Sequence, residues 1–460
     1  MKSYKNIIPG ILVMLVLFSC STSHHYQRSQ TNTDGLLGEV APDSLNLANE
    51  NWQNLFNDPL LDSLISEGLN NNFDLQAAIQ RVSAAEAYFK QSRAALIPSF
   101  SGQAGHTYVN TSKSTSPSSP ASYNASQVIV QSSWEVDIWG KLNSAKKAAY
   151  FDFLATDAAQ KAVQTRLISS IASAYYNLLA LDSKLVITRE TVKTSADLVE
   201  TMKSLKETGR VTGAAVVQSE AARYAAEVTI PDIEQQIRET ENTLCLLLGR
   251  TPGPIGRGKL ENQQANKLLA TGVPADLLDR RPDVMQAEFG VISAYEMTNS
   301  AKAYFYPSVT LTANAGFEAL KFKDLFDPAS FAANIVGGLT QPIFNKRQNK
   351  TRLELAKAQQ AEALANFSST LLNAGKEVND ALNVYDASVQ KMELRQKQLE
   401  ALEKSVEYTK ELLNYGSATY TEVLNAQQSL LNAQLSNVND HIQQLNAVVS
   451  LYHALGGGWK

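Results

Sequence analysis

At 460 residues the chain is longer than one hydrophobic core fills, so it requires several layers, several domains or an extended shape. Its 41 Lys and Arg against 45 Asp and Glu give a net charge of −4, which leaves no basic footprint and argues against nucleic acid as a partner. Two distant cysteines, Cys20 and Cys245, and five histidines that stand singly except for His24-His25 exclude a disulfide framework and a Cys-rich metal site.

The first element is a targeting segment. Lys2 and Lys5 precede an apolar run from Ile11 to Phe18, too short to span a bilayer as a mature helix but suited to a signal-peptide core. The run closes on Leu17-Phe18-Ser19-Cys20, which resembles a bacterial lipobox, with Phe18 bulkier than the usual residue there. The chemistry needs a thiol at the cleavage point because the sulfur takes the diacylglycerol. A covalent lipid on Cys20, with palmitate among its chains, is the expected modification, and no cofactor is expected. Several acyl chains anchor stably where one is marginal. Ser21 follows rather than Asp, which by the same resemblance implies sorting to the outer membrane. The alternative is an ordinary secretory signal with an incidental cysteine. Residues 1–19 thus read as signal peptide and 20–47 as a lipid-anchored tail. Beyond it no apolar run reaches the roughly 18–20 residues of a spanning helix, so the chain crosses a membrane as a β-barrel or is only anchored to it.

Helical periods dominate the rest. Lys141 to Glu207 contains neither Pro nor Gly, and Lys346 to Asn414 is broken only by Gly375. Stretches of this size, about 70 residues, make helices about 100 Å long at 1.5 Å per residue. Pro231 is expected to kink or break its helix. Leu424, Gln428, Leu431, Leu435, Val438, Ile442, Leu445, Val449 and Tyr452 keep a 4-3-4-3 spacing, the seam of a coiled coil. Between the helices lie two strand pairs, about 100–137 and 308–341. In the second, Val309, Leu311, Ala313, Ala315 and Phe317 alternate with Ser308, Thr310, Thr312 and Asn314. About ten residues of such alternation mark a transmembrane β-strand, although a soluble hairpin alternates equally well. Four strands cannot close a barrel alone, so this reading demands an oligomer.

An internal repeat organises the whole. Ala94 to Phe100 matches Ala303 to Val309, Trp134 to Lys141 matches Leu339 to Lys346, and Thr208-Gly209-Arg210 matches Tyr415-Gly416-Ser417. Residues 48–250 form the first repeat and 274–460 the second, joined by a Gly/Pro/Asn-rich linker at 251–273.

Specific motifs then carry a resemblance. They include Trp52 with Phe56-Asn57-Asp58-Pro59-Leu60, Trp134 through Gly140, Leu277-Leu278-Asp279-Arg280-Arg281-Pro282-Asp283-Val284, and the closing Leu455-Gly456-Gly457-Gly458-Trp459. The chain resembles the TolC-like outer-membrane efflux proteins, and among them the NodT-type lipoproteins that serve RND pumps, from Trp52 to Trp459. The resemblance implies an α+β channel-tunnel: a homotrimer with a twelve-stranded transmembrane β-barrel, four strands per chain, over a long periplasmic α-helical coiled-coil barrel. It implies an exit duct that passively conducts drugs or other small molecules, with a periplasmic adaptor and an inner-membrane RND pump as partners. The hairpin tips, Gly209-Arg210 and Gly416-Ser417, are expected to dock the adaptor. The family's periplasmic gate falls on Tyr415, Ala418, Glu422 and Asn425. Ala418 stands where an Arg is frequent, and Asn425 where a second acid is frequent.

Other features read as structural. Pro282 suits the first turn of a helix and Asp283 its dipole. Arg280 and Arg281 are expected to pair with carboxylates, Cys245 to be buried, and Pro98 and Pro307 to end helices. Trp134 and Trp139 suit either an interfacial girdle or core packing. No nucleophile elbow, phosphate-binding loop or paired catalytic carboxylates are recognisable, so no enzyme is expected. The alternatives are a duct for protein secretion or metal efflux, and a lipid-anchored periplasmic coiled-coil adaptor.

Overall fold

The computed structural model describes Tyr26 and residues 52–110, 122–264 and 281–459. Cys20, the loop at 111–121 and Arg280 lie outside the described residues. Helices α1 (Trp52–Phe56), α2 (Pro59–Asn71) and α3 (Phe73–Ala94) lead to strands β1 (Ser99–Asn110) and β2 (Ser122–Val136). Helix α4 (Lys141–Glu207) is followed by α5 (Gly213–Glu227) and α6 (Thr229–Leu247). The second series is α7 (Pro282–Ala303), β3 (Ser308–Ala319), β4 (Phe331–Thr340), α8 (Gln348–Asn414) and α9 (Tyr420–Ala454). The chain forms two compact units, and each draws on both repeats. One contains Arg81–Asp157 and Gln286–Ser368, with all four strands; the other contains Ala158–Met285 and Ser369–Lys460, with both helical tips.

Prolines set several boundaries. Pro98 and Pro307 fall between a helix end and a strand start, and Pro282 opens α7. Pro231 lies in the first turn of α6, and the break falls just before it at Val228. A proline there cannot donate to the carbonyl four residues back and its ring clashes with it, so a continuous helix is not possible. The Asp58 carboxylate caps α2, accepting from the N–H groups of Leu60 at 2.9 Å and Leu61 at 3.4 Å.

The repeat is visible in hydrogen bonds. Helices α4 and α8 each have 67 residues, starting at 141 and 348. Ser99 Oγ donates to the Ser133 carbonyl at 3.1 Å, and Ser308 Oγ to the Thr340 carbonyl at 3.3 Å. Trp134 Nε1 donates to the Leu96 carbonyl at 3.0 Å, and Gln341 Nε2 to the Phe305 carbonyl at 3.3 Å. Gly140 and Arg347, each just before its long helix, are both left-handed, with φ of 73° and 65°. These pairs correct the sequence match, which set Trp134 against Leu339: the structural counterpart is Gln341. Side-chain similarity draws the segments together two residues out of step, whereas backbone position fixes which group reaches which carbonyl.

The strands form one antiparallel sheet in the order β1-β2-β3-β4. Its register puts Ala104, Val128, Phe317 and Phe331 in one row, and Phe100, Ser132, Ala313 and Ile335 in another. Directly opposed residues share a face, so the apolar sets of all four strands lie on the same side. The other side is mainly polar, with Gln103, Gln131, Asn314, Asn334, Thr310 and Thr312, and it also holds Ile129 and Val336. Trp139 stacks on Tyr306 with ring centroids 4.9 Å apart, and its Nε1 donates to the Pro307 carbonyl at 2.7 Å.

In the other unit, Asp58 also accepts from Tyr175 Oη at 2.9 Å and from Gln263 Nε2 at 2.8 Å. Burial, with Asp58 beside it, pushes the Tyr175 hydroxyl up to about 12. Arg281 is buried and holds Asp283 through two bonds, at 3.0 and 2.7 Å, Glu377 at 2.7 Å and the Ala454 carbonyl at 2.9 Å. Burial alone would raise the Asp283 carboxyl, but Arg281 reverses this and holds it below the ordinary value. Cys245 is buried, its thiol donating to the Gly253 carbonyl at 3.4 Å.

Burial also lowers both histidines of α9. His441 lies against the Gln263 carbonyl at 3.1 Å, and His453 faces Arg281, Arg166, Glu377 and Asp283, with Arg281 adding to the depression. A base whose folded value lies below its unfolded one, about 6.5, leaves the unfolded chain with more bound protons in acid. Stability is therefore full above about pH 6.5 and falls as pH drops below it toward the depressed folded values. Melting of the purified protein is expected to shift downward between about pH 7 and about pH 5, and His441→Gln with His453→Gln to flatten that slope. A parent protein with equal melting temperatures at both ends would contradict it.

Candidate functional site

The two helical tips are built from the same backbone device. After α4, the Gly209 N–H bonds the Lys206 carbonyl and the Arg210 N–H the Leu205 carbonyl, both at 2.9 Å. After α8, Gly416 N–H bonds the Leu413 carbonyl at 3.0 Å and Ser417 N–H the Leu412 carbonyl at 2.8 Å. This double closure satisfies carbonyls that the helix end leaves free, and it needs one left-handed residue. Gly209 and Gly416 supply it, both with φ of 73°.

Behind the tips a small core unites all four helices. Leu198 and Met202 of α4, Ala215 and Val216 of α5, Leu413 of α8 and Val423 of α9 bury one another, flanked by Leu205, Val211, Tyr420 and Leu424. The Arg210 guanidinium crosses from the first tip to donate to the Asn414 carbonyl at 2.8 Å. A cation at a helix C-terminus is favourable in itself, and here it ties the hairpins together. The family position for an arginine is Ala418, half-buried in this chain. The tip arginine comes instead from the opposite hairpin, a contact across 204 residues that no local spacing announces.

The hairpins differ in how their second helix begins. Thr212 precedes α5 without a side-chain cap. Thr419 and Glu422 form a full capping box on α9: the Thr419 N–H donates to Glu422 Oε2 at 2.7 Å, and the Glu422 N–H to Thr419 Oγ1 at 3.4 Å. Glu422 is thus a structural cap as well as an exposed negative charge, and the Thr-x-x-Glu spacing at 419–422 could have revealed it. Asn425 is exposed three residues further on, and Tyr415 is 83% exposed. Tyr415, Glu422 and Asn425 are therefore open to solvent on the single chain, as are Gly209, Arg210, Gly416 and Ser417 at the turns.

A family model described as "Outer membrane efflux protein" matches residues 64–250 and 273–457, one match for each repeat. The cation efflux system protein CusC of Escherichia coli O6:H1 is 30% identical over 462 residues, covering 97% of this chain and 98% of that protein. The toluene efflux pump outer membrane protein TtgC of Pseudomonas putida is 30% identical over 416 residues, covering 90% of this chain and 86% of TtgC. A crystal structure of CusC superposes with a TM-score of 0.86 at 27% identity, covering 95% of this chain and all of that one.

Gly416→Val is expected to destabilise the tip by roughly 1–2 kcal/mol, the cost of a left-handed L-residue, and Gly416→Asn by less. Hydrogen exchange over the last turns of α8 reads the difference. Equal protection in the parent and the valine variant would show that the turn does not hold the tip.

Proposed function

The chain belongs to the outer membrane efflux protein family, and from this premise we propose that three copies close their sheets into one twelve-stranded barrel. The helices of the three chains then form the periplasmic part of an exit duct for a tripartite efflux pump. The observation that carries this reading is the four-stranded sheet with one mainly apolar face and two edges that no other described strand pairs. In lipid each unpaired backbone group costs several kcal/mol, so the edges must meet other edges. Acylation at Cys20 adds an anchor to the same membrane.

Conduction is passive, and energy comes from the inner-membrane pump of the RND type through a periplasmic adaptor docked on the Gly209-Arg210 and Gly416-Ser417 turns. The relatives' names span cations and toluene on one scaffold. That range suits a duct that imposes shape and charge rather than a specific cargo site. A cation-efflux duct is the second reading, favoured by the likeness to CusC.

Three-fold symmetry would set Tyr415, Glu422 and Asn425 in rings at the narrow periplasmic end, with Ala418 beside them. A ring of three carboxylates favours cations in a narrow pore. Glutamine serves the capping box as well as glutamate does, so Glu422→Gln removes charge without removing the cap. Purified protein in planar bilayers is expected to show cation preference, and Glu422→Gln to lower it while the trimer persists. Tyr415→Ala and Asn425→Ala should raise conductance. A reversal potential across a salt gradient that is unchanged in Glu422→Gln would remove Glu422 from the constriction.

A further inference from the structure

The outer edges of the sheet carry large apolar side chains that are open to solvent among the described residues. On the β4 side, Ile343 is 98% exposed and Ile335 75%; on the β1 side, Phe100 is 74% exposed and Tyr108 64%. On this face the side chains suit lipid, whereas the backbone edges beside them need strand partners. The internal repeat identifies the partner, because the chain already contains one junction between its two halves: the pairing of β2 with β3. There Val136 opposes Val309, Ser132 opposes Ala313 and Val128 opposes Phe317.

Strand β4 is the counterpart of β2, and β1 that of β3. The matched hydroxyl bonds fix both correspondences: Ser133 with Thr340, 207 residues on, and Ser99 with Ser308, 209 residues on. Carrying the β2–β3 pairs across by these intervals sets Ile343 opposite Phe100, Leu339 opposite Ala104 and Ile335 opposite Tyr108. We propose that this is the register in which β4 of one copy pairs with β1 of the next, with Ile343 seated on Phe100 of a second copy of this chain. The inference rests on the trimeric barrel proposed above and adds its residue-level seam.

Two independent features of the chain agree with it. A slip by one residue would turn every side chain to the opposite face, so only registers that differ by an even step keep apolar beside apolar. Among those, the proposed one sets Ile343, Phe100, Ile335 and Tyr108 in two opposed pairs. Strand β4 ends at Thr340 in the single chain, whereas its counterpart β2 runs on to Val136 against β3. Gln341 to Ile343 are the residues that a neighbouring β1 would draw into the ladder. The sequence match of Trp134 with Leu339 would instead set Gln341 opposite Phe100, a shift of two.

Disulfide cross-linking distinguishes the registers. With Cys245→Ser as background, Phe100→Cys is combined in turn with Ile343→Cys, Gln341→Cys or Leu339→Cys. The lipidated protein in membranes is oxidised mildly and run without reductant. Directly opposed Cβ atoms lie about 4.5–5.5 Å apart and diagonal ones about 7–8 Å, beyond ordinary disulfide reach. The 343 pair is therefore expected to give about fivefold or more inter-chain product than either other pair. Dominance of the 341 pair, or no product from any pair in a protein that still migrates as a trimer, overturns the seam alone. A parent protein that is monomeric in the membrane overturns the barrel reading, and the seam with it.

Discussion

A sheet whose apolar face meets lipid cannot end in lipid. Along the outer edges of β1 and β4 no strand among the described residues pairs with the backbone, and water is not available to satisfy such groups in a bilayer core. Most of the architecture follows from that constraint. Four strands are too few to curl upon themselves, which is why the proposed barrel takes its closure from other copies. The repeat makes the proposed assembly economical, because one kind of strand junction would serve both within the chain and between chains.

The helical tips express a second constraint, that a long helix must stop and reverse within a few residues. Both do so through the same glycine closure and share one apolar core. Their differences lie in the capping and the charge of the second helix. The second hairpin alone has a charged cap, since the position matching Glu422 in the first is the buried Ala215. Arg210 links the two through a backbone carbonyl, an acceptor that persists whatever side chain stands at position 414. Any motion of one hairpin against the other must break that bond or carry it along.

Much of this was legible in the sequence. The absence of Pro and Gly between Lys141 and Glu207 gave that helix to the residue, and the alternation at Val309 to Phe317 gave the β3 face. The glycine turns and the burial of Cys245 followed from local chemistry. Legibility ended where the determining contact was distant. Arg210 reaching Asn414, Arg281 bridging Asp283, Glu377 and the end of α9, and the half-buried histidines of α9 all depend on segments brought together by folding. The two-residue misalignment at Trp134 has the same origin: similar side chains need not occupy equivalent places in a hydrogen-bond ladder. The division into two compact units, each containing parts of both repeats, is likewise a property of packing and not of chain order.

The central claim is that the sheet is completed only by other copies of the chain. Native mass spectrometry of the lipidated protein, released from detergent micelles under conditions that preserve β-structure, tests it most directly. The account expects a particle of three chains that dissociates only when the sheet is melted. A single chain that retains its full β-sheet signal and inserts into bilayers as a stable monomer would contradict it.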